Sequence, residues 1–174
     1  MRVSSVLYSL VGLCLVTLAA SQSSSGPYDS ALIGSRHPFY NLTQKLDHSS
    51  GDNTTFKQRY QMVTDYFQPG GPILFAQSAE QDIVPVESSD LFDMAKELRG
   101  LVIGLEHRFF GTSLPQSYNG SASSFAPLTL GNVLEDAAAF VDFVKKNVTG
   151  AANSEVIVQV GSYGGNLALL AFPV

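Results

Sequence analysis

The sequence has no tryptophan, a single cysteine and only ten lysine and arginine residues among its 174. With so few cations there is no basic stripe to neutralise phosphates, so nucleic acid is not an expected partner. Fifteen Asp and Glu leave a formal charge of -5, which favours solubility and disfavours anionic surfaces. Internal repeats are missing as well. So are GxGxxG, GxxxxGK[ST] and HExxH, and the acids between Glu80 and Asp93 follow no calcium-loop pattern. No cofactor and no metal are therefore expected. What remains is a chain that is 45% hydrophobic and 14% charged, with seven Tyr and eleven Phe to fill a core. This is the balance of a globular domain, not of a disordered, collagen-like or coiled-coil protein.

The one cysteine, Cys14, lies in an N-terminal segment with the marks of a secretory signal peptide. Arg2 supplies the positive start, residues 6–18 are apolar apart from Ser9 and Thr17, and Ala19, Ala20 and Ser21 offer a cleavage site. The run is shorter than the roughly 20 residues that a bilayer core requires. Residues 1–20 are thus expected to be removed, taking the charge from -5 to -6 and leaving no thiol. Disulfides, a cysteine nucleophile and a thiolate metal site are all excluded in the processed chain. No later segment is apolar enough to span a membrane, so no membrane association is expected after cleavage. Four NxS/T acceptors, at Asn41, Asn53, Asn119 and Asn147, fit an exported glycoprotein.

Residues 21–38 read as a flexible leader, polar at first and without a periodic apolar face, with order beginning near Phe39. Partial alternation over residues 56–67 predicts an antiparallel strand or hairpin. Gln68-Pro69-Gly70-Gly71-Pro72 is a strong turn. Short apolar strands then alternate with helices. Strands are expected at residues 72–76, 101–105 and 156–160, and a short helix at 89–98. A long helix is capped by Thr129 and carries Leu130, Val133, Leu134, Ala137, Val141, Val144 and Val148 at helical spacing. Asp142 can pair with Lys145 or Lys146 on its wet face. Strand, helix, strand, helix, strand implies a mostly parallel sheet with flanking helices, an α/β fold.

Chemistry enters where the third of these strands ends. Gly161-Ser162-Tyr163-Gly164-Gly165 precedes a helix-like apolar run, which puts Ser162 on a strand-to-helix turn. In a nucleophile elbow the serine is held at the top of the sheet, with small neighbours because strand and helix approach closely. The backbone N–H of Tyr163 would then face a developing oxyanion at the helix N-terminus. The GxSxG pattern asks for glycine where this chain has Val160. A bystander serine in a glycine-rich turn is the competing reading.

Three segments carry a resemblance to the S28 serine peptidases, which include lysosomal Pro-Xaa carboxypeptidase and dipeptidyl peptidase II. Gln44-Lys45-Leu46-Asp47-His48 with Thr55-Phe56-Lys57-Gln58-Arg59-Tyr60 resembles the family's N-terminal signature. The run from Glu106-His107-Arg108 to Leu114-Pro115 is similar to its EHRYYGxSxP block, and Gly161 to Gly165 to its GGSYGG. The resemblance covers about residue 41 to the end and implies that residues 39–174 are the N-terminal part of an α/β-hydrolase domain. It further implies a secreted or lysosomal (vacuolar) serine exopeptidase, a carboxypeptidase or dipeptidyl peptidase with a preference for proline. Ser162 would form the acyl-enzyme on a peptide substrate, and dimerisation is within the family's repertoire. The acid and the histidine follow the serine in this fold, yet no Asp, Glu or His follows Ser162 here, so the expectation is a chain cut before its triad is complete.

Two departures support the alternative, a catalytically inactive, truncated or degenerate secreted glycoprotein. Val160 stands in the elbow, and residues 76–82 keep Glu80 but no glycine where the family has a GxEG loop. An esterase or lipase on the same fold is the nearest rival among enzymes.

The three histidines have different sequence settings. His107 could serve as a base with Asp136 or Asp142 as orienter, in the His, Asp, Ser order of another protease class. The simpler expectation is that Glu106, His107 and Arg108 form a hydrogen-bonded cluster at the strand end, shaping the loop to Thr112 and Ser113. Asp47 and His48 read as a packing or capping pair, and His37, before Pro38 in the leader, carries no expected role.

Overall fold

The structure, a computed structural model, describes residues 35–159. The strand expected within residues 56–67 is β2 (Thr55–Val63), and it pairs antiparallel with β1 (Phe39–Lys45), a strand the sequence reading did not expect. The turn after β2 is closed by Gly71 N–H donating to the Gln68 carbonyl at 2.8 Å. Then follow β3 (Ile73–Gln77), α1 (Asp90–Leu98), β4 (Leu101–Leu105), α2 (Leu130–Asn147) and β5 (Val156–Gln159). Strand order is β1-β2-β4-β3-β5. β2 runs antiparallel to β4, whereas β3 is parallel to both β4 and β5.

This order follows from burial. Ile-Leu-Phe in β3 and every residue of β4 are buried, as continuous apolar strands in the middle of a parallel sheet must be. Alternation sends Ile73, Phe75, Leu101 and Ile103 to one face, against Phe140, Val141 and Val144 of α2. Leu74 and Val102 go to the other, against Leu91 and Ala95 of α1. The crossover from β3 to β4 moves one way along the sheet and that from β4 to β5 moves the other. With one handedness of crossover, the two helices must lie on opposite faces.

The stripe that α2 buries is rotated from the expected one. Asn132, Val133, Asp136, Phe140, Val141 and Val144 are buried, while Leu130 is exposed. Phe140 packs edge-on to Phe75 and 5.0 Å from Tyr60, so aromatic contact sets the helix rotation. Thr129 caps the helix as expected, accepting from the Asn132 N–H at 3.2 Å. Asp142 is exposed, and the ion pairs among the described residues do not include one to Lys145 or Lys146. Among the described residues, no helix is long and apolar enough to cross a membrane.

Candidate active site

The register brings three strand ends level. Ala76 lies beside Gly104 on one side and Gln159 on the other, so the carboxyl ends of β3, β4 and β5 share one edge of the sheet. Open α/β sheets bind ligands outside this edge. Ser162 is three residues beyond the end of β5. It lies outside the described residues, with Gly161, Tyr163, Gly164 and Gly165.

At this edge of the sheet the loop after β3 is fastened at both ends to the adjacent residues Leu105 and Glu106 at the end of β4. Ser78 N–H donates to the Leu105 carbonyl at 3.0 Å, and Ile83 N–H donates to Glu106 Oε1 at 3.0 Å. A cavity of about 220 Å³ opens between this loop and the 3-10 turn at Val86–Ser88, walled by Gln77, Ser78, Ile83, Val86 and Gly104. Gly104 permits the close approach, since a β-carbon there would stand 2.7 Å from Val86 Cγ1.

Glu106 has no exposed surface and gathers donors from three directions. Oε1 also accepts from the Arg59 guanidinium, with Nε at 2.9 Å and a second bond from its Nη2. Oε2 accepts from Thr112 N–H and Ser113 N–H, each at 3.0 Å, and from the Ser113 hydroxyl at 2.7 Å. A buried carboxylate is tolerated because it is paired and its lone pairs are filled.

Arg108 points elsewhere. It too has no exposed surface, and it holds Asp136 in a two-point pair, with Nε to Oδ2 and Nη2 to Oδ1 both at 2.7 Å. Its other donors satisfy the carbonyls of Lys45, Leu46 and Pro127, and its plane lies 5.2 Å from the Phe56 ring. The three neighbours Glu106, His107 and Arg108 are therefore not one mutually bonded cluster. Glu106 ties the loops after β3 and β4 to β2, and Arg108 ties the end of β1 to α2.

His107 is buried, with Nδ1 2.7 Å from the Arg108 carbonyl and its ring edge-on to Phe110 at 5.2 Å. Burial pushes its pKa below the usual histidine value. The reading of His107 as a base oriented by Asp136 or Asp142 is overturned. Asp136 is taken by Arg108 and by His48 Nε2 at 2.8 Å, and Asp142 is exposed on α2. His48 is likewise not paired with Asp47, whose carboxylate caps the Ser49 N–H and hydroxyl.

Sequence reasoning missed Arg59 and the Ile83 N–H as partners of Glu106, and Asp136 as the partner of Arg108. For Asp136 a signal existed, because it shares a helical face with Asn132 and Phe140, and an acid there calls for a partner. Arg59 carried no such mark. The four glycan acceptors Asn41, Asn53, Asn119 and Asn147 are all exposed. Among the described residues, no cluster of His, Cys, Asp and Glu could hold a metal ion.

The sheet order, the antiparallel β2 and the helices on both faces define the amino-terminal part of an α/β-hydrolase fold. A putative hydrolase from Agrobacterium vitis superposes on 78% of the chain with a TM-score of 0.51 at 17% identity, covering 44% of that protein. More specifically, the chain belongs to the serine carboxypeptidase S28 family, whose profile matches residues 44–172. The lysosomal Pro-X carboxypeptidase of Mus musculus is 34% identical over 160 residues, 88% of this chain and 33% of the relative. That of Homo sapiens is 39% identical over 132 residues, 72% and 26% respectively. Serine protease vicPa of Bipolaris victoriae is 38% identical over 125 residues, 68% and 22%. The chain thus spans between about a fifth and a third of these relatives' lengths.

Proposed function

We propose that the chain is the nucleophile-bearing part of an exported serine exopeptidase that cleaves peptides beside proline, working in the lysosome or outside the cell. In this reading the Ser162 oxygen attacks the peptide carbonyl. The C–N bond breaks as the amine leaves with a proton, and water then releases the acyl group. The Tyr163 N–H and one from the loop after β3 would hold the oxyanion. In this reading none of the three described histidines is the base: His48 and His107 are engaged as described, and His37 is held by two carboxylates.

The observation that supports this reading is the level carboxyl edge of β3, β4 and β5, with Gly161-Ser162-Tyr163-Gly164-Gly165 following β5 in sequence. Substrate class and compartment are carried from relatives named as lysosomal Pro-X carboxypeptidases. A fluorophosphonate probe tests the chemistry. It should label the full-length protein at Ser162, and Ser162→Ala should abolish the label together with hydrolysis of a peptide carrying a penultimate proline. Labelling that persists in Ser162→Ala would remove the assignment.

The second reading, an inactive secreted glycoprotein, rests on the glycine-free loop at residues 76–82 and on Val160. Absence of labelling in a folded, full-length protein would favour it.

A further inference from the structure

β1 forms one edge of the sheet. In the order β1-β2-β4-β3-β5 it is bonded to β2 alone among the described residues, which leaves its outer row of backbone groups without a partner strand there. Such an edge is a template for a strand of another chain. Folded proteins blunt it by recurrent means: a very short strand, a charge along it, proline, a bulge, or a covering segment.

None of these protects β1 in the described part of the chain. The strand runs for seven residues, Phe39–Lys45. Its one charge, Lys45, is its last residue, and Pro38 stands before its first. Pairing with β2 proceeds from Phe39↔Gln61 to Lys45↔Thr55 with no residue skipped, so no bulge turns the edge away. Tyr40 is 44% exposed, and Asn41, Thr43 and Lys45 are exposed as well. Aromatic, aliphatic and β-branched residues without a charge before Lys45 are the composition that makes an exposed strand adhesive.

What β1 does carry is Asn41, third of the seven and the start of the acceptor Asn41-Leu42-Thr43. Asparagine is otherwise a poor strand residue. Leu42 packs toward the core on the α2 side, so alternation puts Asn41 on the opposite face with Phe39 and Thr43. β2 orders that face. The Arg59 guanidinium lies 5.2 Å from the centre of the Phe39 ring, and Lys57 Nζ donates to the Thr43 hydroxyl at 2.6 Å. The Asn41 side chain makes no hydrogen bond among the described residues, in contrast to Asn147, whose Nδ2 is held by a carbonyl.

We propose that Asn41 carries an N-linked glycan that guards the edge of β1 against strand addition by a second copy of this chain. β1 meeting β1 about a two-fold axis would run antiparallel and join two sheets into one. The incoming strand must lie within about 4.8 Å of β1 along its length. A bulky, hydrated sugar chain on the third residue leaves no stretch longer than Leu42 to Lys45 clear for it. This role requires the export proposed above and is independent of the catalytic reading.

The test uses the full-length protein, expressed with its leader in eukaryotic cells. Endoglycosidase digestion should shift its mobility by one step more than that of Asn41→Gln, which reads occupancy. Self-association is then followed by sedimentation velocity in three variants at Thr43. Thr43→Ser keeps the acceptor and should behave as wild type. Thr43→Ala removes it while leaving Asn41 in place, and should self-associate at a concentration at least about tenfold lower. Thr43→Glu removes it too but sets a charge on the edge, opposite Lys57, and should stay as dispersed as wild type. Should Thr43→Ala fail to fold, trimming the glycan from the folded triple variant Asn53→Gln, Asn119→Gln, Asn147→Gln, which keeps the Asn41 acceptor, should produce the same association. A glycan at Asn41 whose removal leaves self-association unchanged overturns the proposal. So does Thr43→Glu associating as strongly as Thr43→Ala, since the contact would then lie away from the edge. Glycans at other acceptors with none at Asn41 overturn the proposal alone, whereas a chain that never enters the secretory pathway, with no acceptor modified, refutes the export reading together with it.

Discussion

Gly111 lies against the carboxylate of Glu106, with φ at +54° and no room for a side chain: a β-carbon would meet Oε1 at 2.2 Å and Oε2 at 2.9 Å. Both facts point the same way, since positive φ already disfavours an L side chain. Gly111→Ala should therefore destabilise the protein by more than about 2 kcal/mol, adding backbone strain to a displaced buried anion. Chemical denaturation measures this, and a loss under about 0.5 kcal/mol would contradict the packing described.

Arg108 and Asp136 make a different kind of contact, a buried pair with satisfied neighbours. Removing one partner strands the other's charge, so Arg108→Met should cost about 3–5 kcal/mol. The double change Arg108→Met with Asp136→Leu should recover a good part of that loss, because no charge is left uncompensated. If the double variant is as unstable as the sum of the two single ones, the carbonyls of Lys45, Leu46 and Pro127 matter more than the ion pair.

His37 gives the fold a pH dependence. Its Nδ1 lies 3.0 Å from Glu87 and its Nε2 3.1 Å from Asp65, and Glu87 also accepts from the Ser35 hydroxyl at 2.6 Å. The hydrogen bond to Glu87 raises the His37 pKa against the opposing effect of burial, with Asp65 helping. For Glu87 burial acts upward, but the bonds from Ser35, its own backbone and His37 outweigh it and hold the pKa at about 2. The His37 contribution is thus complete below its unfolded value of about 6.5 and is lost as pH rises through the raised folded value. The Glu87 contribution is complete above its unfolded value and disappears only as pH falls toward about 2. The latch is fullest at mildly acidic pH. Melting temperature should fall as pH rises above about 6.5, and His37→Ala should flatten that slope. An equal slope in the variant would show that another group titrates.

The exposed asparagines differ in local setting. Asn53 and Asn119 lie in irregular loop segments, whereas Asn147 ends α2 with Nδ2 donating to the Phe143 carbonyl at 2.7 Å. Expressed with its leader in a eukaryotic secretory system, the chain should carry glycans at Asn53 and Asn119 and not at Asn147. Endoglycosidase mobility shifts in the single Asn→Gln variants will show this, and a shift lost in Asn147→Gln would refute it.

Much of the architecture was legible because it depends on local pattern. The continuous apolar runs at Ile73 and Leu101 marked buried parallel strands, and the Thr129 cap with its apolar spacing marked α2. The resemblance carried by Gln44 to Tyr60 and by Glu106 to Pro115 pointed to the family that the comparisons show. Rotation of α2 was not legible, because Phe140 and Ala137 are both apolar and only the positions of Tyr60 and Phe75 decide between them.

At the edge of the sheet the division is sharper. The sequence by itself determined that a serine follows the fifth strand, that Glu106, His107 and Arg108 stand in line after the fourth, and that the loop after the third has no glycine. Tertiary structure decided what each of those three neighbours does. Glu106 and Arg108 lie past the end of β4, where the chain turns and strand alternation no longer holds, so the partner of each comes from whichever segment packs there: Arg59 and Ile83 for Glu106, and Asp136 for Arg108. Those segments are distant in sequence, between 23 and 47 residues away. Spacing along the chain cannot reveal a pairing that exists because a carboxylate buried without donors would be too costly to fold.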